Sequence, residues 1–152
     1  MSGAAIFHAL AAFLEEDGWS PEVQDGEPLL RVMAGGKNGE WECFGEVRKG
    51  SLAVFSSSLP DEVPAGRRAA AAELVTRANW GLALGAFELS YATGELNFRT
   101  GIDLEGLEPA PLHFRHLVHQ NIVTFDRYLP AIRAVAAGTA EPAATIAAVE
   151  KA

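Results

Sequence analysis

Residues 84–102 read "LGAFELSYATGELNFRTGI". Two runs of alternating apolar and polar side chains, 84–91 and 95–102, flank Thr93–Gly94. Alternation with period two sends successive side chains to opposite faces of a strand, and a short glycine-containing joint between two such runs signals a hairpin. With Thr93–Gly94 as a two-residue tip, one side pairs Tyr91 with Leu96, Leu89 with Phe98 and Phe87 with Thr100. The other side pairs Glu88 with Arg99 and Ser90 with Asn97. One apolar and one polar side imply an antiparallel sheet with at least one solvated or partner-facing side.

The glycines just upstream test that reading. "RANWGLALGAF" (77–87) spaces Gly81 and Gly85 four apart. A phosphate loop runs strand, glycines, helix, because amide protons converge at a helix N-terminus. Here a helix ending near Trp80 comes first and a strand follows, so carbonyls and partial negative charge face the gap. The stretch is expected to be a joint, with Gly81 as the left-handed residue closing the helix and Gly85 letting the strand approach a neighbour closely.

A second hairpin is expected from "EWECFGEVR" (40–48) and "SLAVFSSS" (51–58) around Lys49–Gly50. A two-residue loop sets Trp41, Cys43, Gly45 and Val47 against Ser58, Ser56, Val54 and Leu52 on the core side. The reverse side then pairs Glu42 with Ser57, Glu46 with Ala53 and, between them, Phe44 with Phe55. Two opposed rings on an acidic side need covering, either by another part of the chain or by a partner. Phe44 and Phe55 are therefore candidate partner-binding residues. One more run, "LLRVMA" (29–34), precedes this hairpin across "GGKNG", which permits more than one register.

Residues 4–16 place Ile6, Phe7, Leu10, Phe13 and Leu14 on one helical stripe. Residues 60–80 read as a helix with Pro64 near its first turn and a small-residue face that includes Leu74, Val75 and Ala78. From Phe114 to Val135 apolar residues recur at three and four, with Asn121 among them, and Pro130 predicts a kink or break. Gly138 is a natural C-cap, and Pro142 begins an Ala-rich segment that forms a short helix or frays. The expected fold is α+β, in the order α-β-β-β-α-β-β-α. A five-stranded twisted antiparallel sheet carries the helices, in one domain over 1–138 with a C-terminal helix or tail over 139–152.

The chain of 152 residues carries 20 acidic against 12 basic side chains, a net charge of −8. That field repels nucleic-acid backbones and anionic lipid, so direct nucleic-acid or membrane binding is not expected. The single Cys43 allows neither an intramolecular disulfide nor a cysteine metal cluster. "MSGAAIFHALAAFLEEDG" lacks a basic n-region and does not read as a signal peptide, so a cytoplasmic protein is expected.

No constellation adds up to a reaction. His113, His116 and His119 recur every three residues without the i, i+4 spacing, or the helping cysteine, of an efficient helical zinc site. Cys43 lies mid-strand with no histidine beside it, and "SSS" (56–58) lacks a nucleophile elbow. "GIDLEGLE" (101–108) lacks the spaced oxygens of a calcium loop. Arg67, Arg68 and Arg77 form a small basic stripe balancing neighbouring acids. No catalytic, cofactor-binding or metal-ligating residue is assigned, and the chain is expected not to be an enzyme.

The segments "FLEEDGW" (13–19), "FSSSLPDEVP" (55–64), "TRANWGLALGAFELSYATGELNFRTGIDLEG" (76–106) and "NIVTFDRYLPAI" (121–132), in this order of elements, resemble the YbjN family, a bacterial group labelled sensory transduction regulators. The resemblance spans about residues 4–137. In fold the family looks like the type III secretion chaperones, small acidic homodimers without cofactor or enzymatic activity. It thus implies a homodimeric, protein-binding, chaperone-like or regulatory adaptor, with an unidentified client held on exposed apolar surface. By analogy with those chaperones, the dimer contact falls around Leu74, Ala78 and Trp80, and the client surface around Phe44 and Phe55 with the first helix. The alternative is a small-ligand sensor or cryptic enzyme, with a cleft between sheet and long helix to which His116 or His119 contributes.

Overall fold

The computed structural model describes residues 2–151. Helix α1 (Gly3–Glu16) starts where the Ser2 hydroxyl accepts the Ala5 N–H at 3.2 Å, and it buries Ile6, Phe7, Leu10 and Leu14. Six strands follow in one sheet: β1 (Glu22–Val23), β2 (Leu29–Gly35), β3 (Glu40–Arg48), β4 (Leu52–Ser58), β5 (Ala86–Leu89) and β6 (Leu96–Asp103). Their spatial order is β1-β2-β3-β4-β6-β5, and every pairing is antiparallel. The count is six rather than the expected five because β1 pairs only two residues inside a turn-rich segment, too few to show a period.

Helices α1, α2 (Arg68–Gly81) and α3 (Pro111–Ala137) pack on the sheet, and α4 (Pro142–Lys151) packs on α2 and α3. Between helices and sheet lies a continuous apolar core that includes Trp41, Phe55, Phe98, Phe114 and Phe125. The rings interlock: Trp41 and Phe125 lie 5.0 Å apart, and Phe87 stands 4.6 Å from Phe98 and 5.5 Å from Tyr128. Among the described residues no helix is long and apolar enough to cross a membrane.

Both hairpins depart from the expected register. At β3–β4 the connection takes three residues, because Ser51 is drawn toward the far end of β6. Its C=O accepts the Leu104 N–H at 3.0 Å and its hydroxyl donates to Asp103 at 2.8 Å. Lys49 and Gly50 turn with φ of +52° and +81°. Phe44 consequently pairs with Ser56, and Phe55 with Gly45. A one-residue slip exchanges faces, so Phe44 and Phe55 lie on opposite sides of the sheet, not against each other.

The β5–β6 register moves by two, setting Leu89 against Leu96 and Phe87 against Phe98. Tyr91 falls into the longer loop, where it is exposed, while every retained side chain keeps its expected face. Arg68 holds that loop open by donating to the carbonyls of Tyr91, Ala92 and Thr93.

Two local expectations are also corrected, and a third is narrowed. Gly81 is the last helical residue of α2, and the positive φ falls instead at Gly85 (+78°). A Cβ on Gly85 would meet the Phe98 ring and the Arg99 carbonyl at under 3 Å, so the close approach expected there is present. Pro130 does not break α3, which continues from Pro111 to Ala137. A proline at 130 leaves the carbonyl of Asp126 without its helical donor. Asn38 Nδ2 supplies the missing hydrogen bond at 2.8 Å. Arg67 and Arg68 form no stripe with Arg77: Arg67 donates to Val135 and Ala140 carbonyls, Arg68 to Val63 and the loop, and only Arg77 pairs with an acid of its own helix, Glu73.

Candidate interaction surfaces

The most polar part of the interior is a knot of hydrogen bonds between α3 and the sheet. Asn121, fully buried, accepts the Ser57 hydroxyl at 2.6 Å and donates to the carbonyls of Phe55 (2.8 Å) and Phe98 (3.0 Å). The Ser57 oxygen in turn accepts the Trp41 indole N–H at 2.9 Å, and Thr100 donates to the Leu117 carbonyl at 2.7 Å. Among the described residues no buried side-chain nitrogen or oxygen lacks a partner. Such a satisfied network fixes the helix register on the sheet. The available sequence signal for it is Asn121 itself, a polar residue within an otherwise apolar stripe.

Cys43 and Ser57 share this knot, their Sγ and Oγ 3.4 Å apart. Burial pushes the Cys43 thiol up to about 12, so it remains protonated at neutral pH. The three α3 histidines diverge. His113 Nδ1 accepts the Ala110 N–H at 2.9 Å at the helix start, His116 is exposed, and His119 Nε2 meets Asp17 at 2.6 Å. The hydrogen bond from His119 holds the Asp17 carboxyl below its ordinary range. Among the described residues no group of three His, Cys, Asp or Glu side chains is disposed to hold a metal ion.

The proposed contact residues separate. Phe55 is fully buried on the helix side. Phe44 lies half-buried on the opposite, open face, forming one wall of a shallow depression with Val23, Leu29 and Arg31. Leu74 and Ala78 are buried in the core of their own chain, on a helix that packs against β5, α3 and α4. Trp80 alone of the three is on the surface, 95% exposed, with Leu84 at 59% in the connection to β5.

The open face carries ion pairs. Arg31 reaches Glu22 (2.9 Å) and Glu42 (3.3 Å), Arg48 lies beside Glu46, and Arg99 is 3.6 Å from Glu88. At the β5 border of the sheet, the Asn79 side chain accepts the Phe87 N–H at 2.8 Å and donates to its C=O at 3.0 Å. One amide thereby imitates a neighbouring strand and closes that edge at its centre.

The profile of one protein family, YbjN, described as "Putative bacterial sensory transduction regulator", matches residues 8–134. Helix α4 lies beyond that span. No relative among the curated proteins matches the chain.

Proposed function

The chain belongs to the YbjN family, and on that premise we propose that it is a cytoplasmic, non-enzymatic adaptor, chaperone-like in its action, that works as a homodimer and binds another protein. The observation that carries the reading is Trp80, 95% exposed beside the exposed Leu84. Indole is among the side chains most enriched at protein contacts and costs free energy when left in water. The family description, a regulator of sensory transduction, supports a protein partner. The helix side of the sheet is filled by Trp41, Phe98 and Phe125, which leaves the ligand-cleft alternative without a supporting observation.

The test is sedimentation at micromolar concentration with wild type and Trp80→Ser. Wild type is expected to run as a dimer and the variant as a monomer, with unchanged far-UV circular dichroism. A wild-type monomer overturns the dimer reading.

A further inference from the structure

The two borders of the sheet differ, and the β2 border is open. The turn contact from Gly36 N–H to Gly39 C=O (2.9 Å) places Gly36, Ala34, Val32 and Leu30 in the closely bonded pairs with β3. The backbone groups of Leu29, Arg31, Met33 and Gly35 therefore point away from β3. Strand β1 uses the first two, through Gln24 N–H to Leu29 C=O at 2.9 Å and the Glu22–Arg31 pair. It then stops. The chain peels away before Ser20 comes opposite Met33, leaving a groove of about 340 Å³ between Gly18–Ser20 and Arg31–Met33. Among the described residues nothing bonds the outward N–H and C=O of Met33 or Gly35.

The side chains around this open edge define what fits it. Met33 is 56% exposed on the face where Glu42 stands opposite. Gly35 has no side chain, and across it on β3 lies exposed Glu40, which forms no ion pair among the described residues. Glu22 and Glu42 share the single Arg31, so this group retains one negative charge. The edge is also held rigid. Lys37 and Asn38 donate their backbone N–H groups to the Asp126 carboxylate at 3.0 and 2.9 Å, and Arg133 donates to the Asn38 carbonyl at 2.9 Å.

We infer that the Met33–Gly35 edge accepts an extended segment of a partner protein as an added antiparallel strand. The pattern it selects is a lysine or arginine opposite Gly35, reaching Glu40, followed two residues later by an apolar side chain opposite Met33. Main-chain hydrogen bonds hold the strand, and the alternate side chains set its identity. This deepens the adaptor reading and rests on it, since it names the chemistry of the partner.

The probe is a capped peptide repeating Lys-Thr-Val-Thr, titrated onto the full chain while backbone amides are followed by NMR exchange. In the free protein the Met33 and Gly35 amides are expected to exchange rapidly, and bound peptide is expected to protect both. N-methylation at the Lys and Val amides, which face β2, should weaken binding by about tenfold, the loss of two hydrogen bonds. N-methylation at the Thr amides should leave it intact. Glu40→Lys should weaken this peptide and favour its Glu-for-Lys counterpart. Binding indifferent to the methylation pattern, or bound peptide with Met33 and Gly35 unprotected, overturns the proposal. So does protection in the free protein that grows with concentration, which would assign the edge to a second copy. Repeating the titration with Trp80→Ser separates the readings: peptide binding by a monomer keeps the edge and removes the dimer, whereas a dimer without edge binding does the reverse.

Discussion

The two faces of this sheet are built from the same strands by opposite means. On the helix side, Trp41, Cys43, Phe55, Ser57 and Phe98 are sealed from water, and even their polar atoms are paired through Asn121. On the open side, Phe44 is half-buried among Arg31, Glu42 and Ser56, and cohesion comes from exposed ion pairs. Burial and satisfied interior hydrogen bonds hold the first face; screened charges decorate the second. Stability therefore resides mainly in one face, and the other contributes less, through residues such as Val54 and the half-buried Phe44.

The sharpest way to break that contrast is chemical. With Cys43 pushed up to about 12, only about one thiol in ten thousand is ionised at pH 8. Cys43 should stay silent to a disulfide reagent in the native protein, while Ser56→Cys in a Cys43→Ser chain should react within minutes. Comparable rates would show that the helix side admits solvent. Next in size, Phe55→Ser should cost about 4 kcal/mol of unfolding free energy, from the lost ring and its cavity. Asn121→Leu should cost about 2 kcal/mol, because it leaves the Ser57 hydroxyl without its acceptor and removes one hydrogen bond from each of two carbonyls. Urea titration measures both, and a near-neutral Asn121→Leu would mean the knot adds nothing.

The open face should answer more weakly. Phe44→Ser is expected to lose about 1 kcal/mol, the share of a half-buried ring. Arg31→Gln should lose less still, and added salt should erase the difference. A Phe44 effect as large as that of Phe55 would place both rings in one core.

These two faces also explain what the sequence could disclose. Period-two alternation located both hairpins and the antiparallel sheet, because faces follow parity. Register follows the turn, and the turns were set by atoms far along the chain. Asp103 and Leu104 draw Ser51 out of the strand and into one loop, shifting β4 by a single residue and exchanging the expected places of Phe55 and its neighbours. Arg68 props open the other, a shift of two that leaves Phe87, Leu89, Leu96 and Phe98 where alternation puts them. The surface sites depend on such distant contacts even more. Leu74 and Ala78 lie buried on α2 between β5, α3 and α4, and the Ala-rich sequence of α4 gives little sign of docking. Trp80 remained outside, and neither the cap that Asn79 makes on Phe87 nor the clamp of Asp126 on residues 37 and 38 has a local signature.

Pro130 gives that clamp its permanence. An ordinary residue there would offer its own amide to the Asp126 carbonyl, and Asn38 would have to compete for it. The imino acid withdraws the rival, so a hairpin tip is moored to the middle of a long helix by a bond the helix has no use for. Helix and tip are thereby fastened at one point by three hydrogen bonds to a single aspartate, its side chain and its carbonyl both engaged.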